Sequence, residues 1–293
     1  MFLVYGDIAV DVIITGAKIS HGTDSKGRVN FYPGGSAANQ AVWLSRMGTP
    51  TRFLGMIGDD PIGQFLKDDL LKENIDARVI VSKYPTGAVA VFISPDGERS
   101  MIPDRGANIF LPLSAITTEL LEGITHVHIT GYSFTAPEQL ETTMKMIDIA
   151  RKNELTISLD PSAHLLIEEY PGLQEFLNLT RGITYFFPNY AEGSHLAKEK
   201  EPEKIVRFLL QYYENVILKL GSGGALIGTP KELIPIPGEA VEAIDTTGAG
   251  DSFCGAFLAS IYQGKSLSTA AKTANKVAAR VVAKYGARPQ LDE

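Results

Sequence analysis

Cysteine is nearly absent from this 293-residue chain, Cys254 being the single one. One thiol excludes an intrachain disulfide framework and a cysteine-based zinc site, which fits a reducing cytoplasm. Positive charge is also in short supply: 27 Lys and Arg stand against 34 Asp and Glu, for a net charge of −7 and a pI near 5.4. That balance argues against broad attraction to nucleic acid or to an anionic membrane surface, while leaving a local basic pocket open. Long apolar runs are missing too, and no stretch approaches the roughly 20 residues a membrane-spanning helix needs. The apolar N-terminus has no basic leader, carries Asp7 and Asp11 and lacks a small-residue cleavage site, so it reads as a first strand and not a signal peptide. Neither internal repeats nor low-complexity segments occur, and the one charge cluster, at 198–204, mixes both signs like a solvated helix boundary.

What is present is 44% apolar residues, enough for the core of one large α/β domain or two small ones. Residues 2–15 are rich in Val and Ile with an interruption at Gly6-Asp7, which suggests a buried strand ending in polar groups. A weak strand signal follows at 28–32, then a helix after Ser36 that stops at Gly48, a strand at 51–57 and a helix at 62–74. Residues 78–105 read instead as short β-prone runs around a Pro-Asp-Gly turn, a hairpin inserted between α/β units. Alternation then resumes, with strands at 126–130, 156–159, 185–187 and 215–220 and helices at 137–152, 166–178, 190–198 and 202–213. This order predicts a mainly parallel sheet with helices on both faces, whose ligands bind beyond the carboxyl ends of the strands.

Three common nucleotide motifs fail. Gly22 to Gly27 has Walker-type spacing but continues Arg-Val in place of the lysine and hydroxyl. Gly248 to Phe253 has two glycines of a dinucleotide fingerprint, with Phe at the third, far from the first strand. A protein-kinase motif set is missing as well.

The stretch from Asp245 to Phe257, DTTGAGDSFCGAF, carries chemistry of its own. Its small residues let a ligand approach the backbone, and Phe253, Phe257 and Ile261 mark the buried face of a helix that begins near Gly248. The free N–H groups of Gly248, Ala249 and Gly250, with the positive end of the helix dipole, form a hole for phosphate oxygens. Asp251 in the first turn is expected to be kept ionised by that field, as suits a carboxylate that takes a proton from an attacking hydroxyl. Taken alone, Asp251 or Ser252 is more simply explained as a helix cap, and only the intact segment from Asp245 to Asp251 turns the balance.

This stretch resembles the C-terminal signature of the ribokinase-like, or PfkB, family of carbohydrate kinases. FYPGGSAANQA at 31–41 resembles the family's N-terminal signature and GDIAVD at 6–11 its first sugar-binding strand. PNYAE at 188–192 resembles its N-x-x-E motif, and LKLGSGGA at 218–225 its nucleotide-binding strand and loop. The matches follow family order across essentially the whole chain. The resemblance implies an α/β fold with a central, mostly parallel sheet and a small β-sheet lid, formed by about 12–33 and 86–104, in a single domain over 1–293. It implies Asp251 as catalytic base beside the Gly248-Ala249-Gly250 anion hole, and sugar hydroxyls held by Asp11, Gly34, Gly35 and Asn39. Asn189 and Glu192 would organise Mg²⁺ largely through water, although the two are also a serviceable helix-capping pair. Lys219, Gly221, Ser222 and Gly224 would border ATP, with Asn275 near the adenine. Asp245, Thr247 and Gly286, with carbonyls near Val281 and Lys284, match the K⁺ site of potassium-activated members, but residues 287–290 read Ala-Arg-Pro-Gln where a side-chain hydroxyl is expected.

Arg105 and Tyr132, with Ser133, are further candidates to line the substrate, the alternative for Arg105 being a solvated side chain. Ala9 stands where ribokinases carry asparagine, which weakens ribose, and DPSAH at 160–164 lacks the arginine of fructokinases and 2-keto-3-deoxygluconate kinases. His164 either substitutes for that arginine or lies on the surface. The reading is an ATP-dependent kinase of a small sugar or sugar-like alcohol, cytoplasmic and dimeric through the lid, with a nucleoside as the alternative substrate. A non-catalytic ligand-binding protein on the same fold stays open, and an NAD(P)-dependent oxidoreductase is disfavoured by the broken glycine fingerprint.

Overall fold

The structure is a computed structural model that describes residues 1–16, 22–93 and 99–291. The interruption at Gly6-Asp7 divides the first apolar run into β1 (Phe2–Tyr5) and β2 (Ala9–Thr15), which join different sheets. Among the described residues, β1 lies inside a nine-stranded sheet. Its order is β13 (Leu233–Ile236), β12 (Ala225–Gly228), β11 (Asn215–Lys219), β10 (Tyr185–Phe186), β9 (Thr156–Asp160), β8 (His126–Thr130), β1, β4 (Thr51–Gly58) and β5 (Asp76–Ser82). All neighbours pair parallel except β11–β12 and β12–β13, which are antiparallel.

Alternation along the strands gives the sheet two buried faces. Leu3 and Tyr5 of β1 enter one core together with α3 (Pro137–Lys152), α5 (Leu173–Leu179), α6 (Tyr190–Ala197) and α7 (Pro202–Leu209). Phe2 and Val4 enter the other, with α1 (Ser36–Arg46), α2 (Pro61–Lys72), α8 (Ala249–Tyr262) and α9 (Leu267–Val282). Helices α1 and α8 pack closely because Gly255 has no side chain: a Cβ there would lie 2.5 Å from the Cβ of Trp43 and 3.0 Å from the carbonyl of Gln40.

The small sheet is ordered β3 (Arg28–Gly34), β2, β6 (Gly87–Ile93) and β7 (Arg99–Asp104). Its register aligns Phe31, Val12, Ala90 and Ile102 in one cross-strand row and Val29, Ile14 and Phe92 in the next, which ends on Ser100, so one face is largely apolar. Phe31 and Ile102 on that face are 58% and 65% exposed.

Two expectations change, and one lies beyond the described residues. The Val-Ile-Val-Ser run at 79–82 belongs to β5 at the edge of the large sheet and not to the inserted hairpin, because it continues the parallel register of β4. The Pro-Asp-Gly turn expected at 95–97 lies outside the described residues, as do residues 17–21 of the segment at 12–33. The helix expected at 166–178 is two, α4 (His164–Glu169) and α5, because Pro171 lacks an N–H and Gly172 turns the chain at φ 97°. The antiparallel β12–β13 hairpin extends the alternation beyond the elements expected from sequence.

Candidate active site

Parallel strands deliver their following residues to one edge of the sheet. The chain leaves β1 at Gly6-Asp7, β8 at Gly131-Tyr132, β9 at Asp160 and β11 at Lys219, while the N-termini of α1 and α8 meet above them. Helix α1 starts at Gly35, which has no capping side chain and sits at φ 90°, where a Cβ would lie 2.7 Å from the α-carbon of Ile8. Asp7 caps the helix from outside: its carboxylate accepts from Ser36 N (2.7 Å), Ala37 N (3.3 Å) and Thr130 Oγ1 (3.0 Å). Helix α8 starts at Gly248, φ 74°, where a Cβ would lie 2.5 Å from the backbone of Ala287. Only glycine fits such a turn without strain.

Asp251, in the first turn of α8, accepts three hydrogen bonds from α1. Ser36 Oγ and Gln40 Nε2 each donate to Oδ1 at 3.0 Å, and Asn39 Nδ2 donates to Oδ2 at 2.8 Å. Burial pushes its carboxyl up to about 6, with the donors of Asn39, Gln40 and Ser36 opposing and Asp160 adding to the rise. Desolvation thus raises the carboxyl even though it lies in the first turn of the helix. The group is still mostly ionised at pH 7.

Beneath the turn lies a buried ion pair. Lys219 Nζ donates to Asp160 Oδ2 at 2.9 Å, and the same oxygen accepts from Gln40 Nε2 (3.1 Å) and Cys254 Sγ (3.2 Å). Burial alone would lower the Lys219 amine, but Asp160 overrides it and holds the amine above its usual range. A Cβ on Gly250 would come within 3.4 Å of Lys219 Nζ, so the lysine stands directly behind the glycine turn.

Asp11 lies against Gly34, whose Cβ would fall 2.4 Å from the carboxylate. Burial raises the Asp11 carboxyl to about 6, Arg288 draws it down, and Asp251 and Asp7 push it up. Asp11, Gly34, Gly35 and Asn39 thus gather around Asp251. Arg105 is not solvated: it lies over the Tyr132 ring at 5.1 Å and donates to Thr135 Oγ1 (2.7 Å), Tyr132 O (3.0 Å) and Gln139 Oε1 (3.3 Å). Burial, then Asp7, raises the Tyr132 phenol to about 12. Ser133 is fully enclosed, its hydroxyl without a hydrogen-bond partner, and so lines nothing accessible. His164 is half-buried with its ring 5.2 Å from that of His195, away from this cluster.

Asn189 and Glu192 form a capping box at α6: Asn189 Oδ1 accepts from Glu192 N at 2.9 Å, and Glu192 Oε2 from Asn189 N at 2.8 Å. The cap lies beside the Asp160–Lys219 pair. Burial, then Asp160, raises the Glu192 carboxyl to about 7, and Lys219 N donates to Pro188 O beside it at 2.8 Å. The turn at Gly221–Gly223 ends at Gly224, φ 90°. Gly238 packs on Ser222, and Asn275 Nδ2 donates to Pro237 O at 2.9 Å, so this turn and α9 meet through residues 237 and 238. Asp245 accepts from Thr247 N (2.8 Å) and Gly286 N (2.9 Å), which draws those three together.

Arg288 has a place that sequence reasoning did not foresee. Its guanidinium donates to Asn39 Oδ1 (2.6 Å), Asp69 (2.5 Å) and Gly34 O (3.2 Å), linking the C-terminal segment to the cluster around Asp251. Gln40 was also missed, although it adjoins Asn39.

Among the described residues no group of three or more His, Cys, Asp or Glu could cage a metal ion, and no helix is long and apolar enough to cross a membrane.

The chain matches the pfkB family carbohydrate kinase description over residues 1–293. It is 31% identical to a ribokinase of Haemophilus influenzae over 88% of this chain and 83% of that one. To a ribokinase of Bacillus subtilis it is 28% identical, over 97% and 94%. Its structure superposes with a TM-score of 0.87 on an Escherichia coli ribokinase II candidate in complex with ATP and Mg²⁺, 25% identical, covering 98% of this chain and 94% of that one. The chain therefore belongs to the PfkB family of ATP-dependent carbohydrate kinases and has the ribokinase-like fold.

Proposed function

We propose that the protein transfers the γ-phosphoryl group of ATP to a hydroxyl of a small sugar or sugar-like alcohol, with Asp251 as the base. The observation that carries this reading is how the Asp251 carboxylate is held. A carboxylate has about four lone-pair sites. Oδ1 accepts from both Ser36 and Gln40, whereas Oδ2 accepts from Asn39 alone, so Oδ2 keeps a lone pair for the hydroxyl proton. A pKa near 6 gives a group ionised at pH 7 yet basic enough to take that proton.

The sugar would lie between Asp11, Gly34, Gly35 and Asn39, with Arg105 and Tyr132 at its far end. Its oxygen would attack phosphorus in line as the O–H proton passes to Asp251 and the bond to ADP breaks. The N–H groups of Gly248, Ala249 and Gly250, backed by Lys219, would hold the developing charge. ATP would run along Gly221, Ser222 and Gly224 toward Asn275. Both Glu192 oxygens already accept from Asn189, which suits Mg²⁺ that arrives on the nucleotide and keeps its waters. Asp245, Thr247 and Gly286 would border a K⁺ ion. The apolar face of the small sheet supports its role as a lid that pairs with a second copy.

The test is a coupled ADP-release screen over sugars, sugar acids, polyols and nucleosides, run in K⁺ and in a bulky organic cation. Equal rates in both cations would remove the K⁺ site. On the best substrate Asp251→Asn is expected to bind ATP and to lose at least about 10²-fold in kcat. A variant retaining more than about a tenth of the rate would refute the base assignment.

A further inference from the structure

Behind Asp251 a column of polar side chains runs along β8 and β9, buried at His126, His128 and Ser158 and reaching the surface at Thr156. Gln40 Nε2 lies 3.0 Å from Asp251 Oδ1 and 3.1 Å from Asp160 Oδ2, so both of its hydrogens are used. The flipped amide would set its oxygen against two carboxylates, which fixes the orientation. Gln40 Oε1 consequently faces His128 Nε2, and that nitrogen must carry the ring hydrogen. His128 Nδ1 is then an acceptor, filled by Ser158 Oγ at 2.6 Å. Ser158 Oγ accepts in turn from His126 Nε2 at 2.7 Å, and His126 Nδ1 accepts from Thr156 Oγ1 at 2.7 Å, a shorter contact than the 3.3 Å from that hydroxyl to Thr125 O. One constraint at Gln40 thereby sets the direction of every bond in the column. Both rings are enclosed, and burial holds His126 down to about 3 and His128 far below its ordinary value, so both are neutral donors and acceptors.

We propose that the column from Thr156 through His126, Ser158 and His128 is a positioning device for Gln40, and that Gln40 positions Asp251 and its neighbour Asp160. By presenting N–H and never C=O to the site, Gln40 fills Oδ1 of Asp251 and leaves Oδ2 to meet the substrate. It also ties the base to the Asp160–Lys219 pair under the phosphate turn, so that both ends of the transfer share one amide. The proposal rests on Asp251 being the base, and its test separates the two.

The experiment compares wild type, His128→Leu, His128→Gln and Asp251→Asn. Leucine removes the donor to Gln40 Oε1, whereas glutamine keeps an N–H within reach. The other charged groups around Asp251, namely Asp11 on β2, Asp160 on β9, Glu192 on α6, Lys219 on β11 and Arg288 after α9, stay in place in both His128 variants. A freed Gln40 donates less well to the Asp251 carboxylate, so the acid limb of the kcat profile is expected to move up by about one pH unit in His128→Leu, with kcat down about tenfold. His128→Gln is expected to bring both back toward wild type. An unmoved limb in folded His128→Leu, with Asp251→Asn inactive, would overturn the positioning role alone, whereas an active Asp251→Asn would overturn the base itself. Should the leucine variant not fold, ¹⁵N shifts of the wild-type imidazoles decide: the Nε2–H tautomer of His128 is expected, and an Nδ1–H or doubly protonated ring refutes the column.

Discussion

The two sheets treat polar and apolar groups in opposite ways. The large sheet buries β1, β4, β8 and β12 along their whole length, yet carries His126, His128, Ser158, Asp160 and Lys219 inside it. The small sheet leaves most of its residues half-buried or exposed and turns Phe31, Val29 and Ile102 outward. A polar group in a dry interior is tolerated only when its hydrogen bonds are met, and each of those five is partnered. The large sheet therefore owes its fixed geometry to polar satisfaction. The small sheet has few such constraints, and its apolar face gains most when something covers it.

The largest test of this contrast breaks one partner inside the large sheet. Asp160→Asn leaves Lys219 buried with no opposite charge in contact, a change worth about 3–5 kcal/mol of stability in comparable pairs. Urea unfolding measures it. A loss under about 1 kcal/mol would mean that water reaches Lys219 and that the floor of the site is not dry.

How much of this was legible in sequence follows the same division. The turn before α8, the capping box of Asn189 and Glu192 and the glycine at 35 depend on residues close in the chain, and local chemistry is what spacing reports. The mostly parallel sheet followed from strand–helix alternation. Gln40, Arg288 and the histidine column depend on pairs separated by 30 to 254 positions, and no periodicity carries that information. The alternating His-Val-His of β8 would have been the signal, since it puts two imidazoles on one face of a strand whose opposite face carries Val127 and Ile129. The upward shift of the Asp251 carboxyl was not legible for a related reason: a helix terminus can be read from the chain, but burial against α1 cannot.

A smaller effect is expected on the small sheet. Ile102→Lys sets a charge in the row of Phe31, Val12 and Ala90. Because Ile102 is 65% exposed, the stability of one folded chain should change by no more than about 0.5 kcal/mol. Sedimentation should nevertheless show a shift from dimer to monomer, with KM for the sugar raised more than kcat is lowered. Unchanged mass for both proteins, at a concentration where wild type is dimeric, would show that this face is not the interface and that the exposed row is covered by nothing.

The smallest expected effect is a damped change with pH, and it sets the site carboxylates against the histidine column. Asp11 and Asp251 near 6 and Glu192 near 7 have folded pKa values raised above the unfolded ones, so their stability is present at low pH and lost as pH rises through those values. His126 and His128 are depressed below 6.5, so they withdraw stability as pH falls under that value. Each group contributes a slope of at most about 1.4 kcal/mol per pH unit, and the two sets oppose each other between about pH 6.5 and 5. The two sets should therefore offset in part, so the unfolding free energy of the ligand-free protein should change less between about pH 6.5 and 5 than either set alone would dictate. His126→Asn, whose amide does not titrate, should remove part of the opposition and make stability climb as the solution is acidified. A steep fall in wild type over the same range would mean that the carboxylates are less buried than Asp251 and Glu192 are here, and that the dry floor extends under the column but not to the site above it.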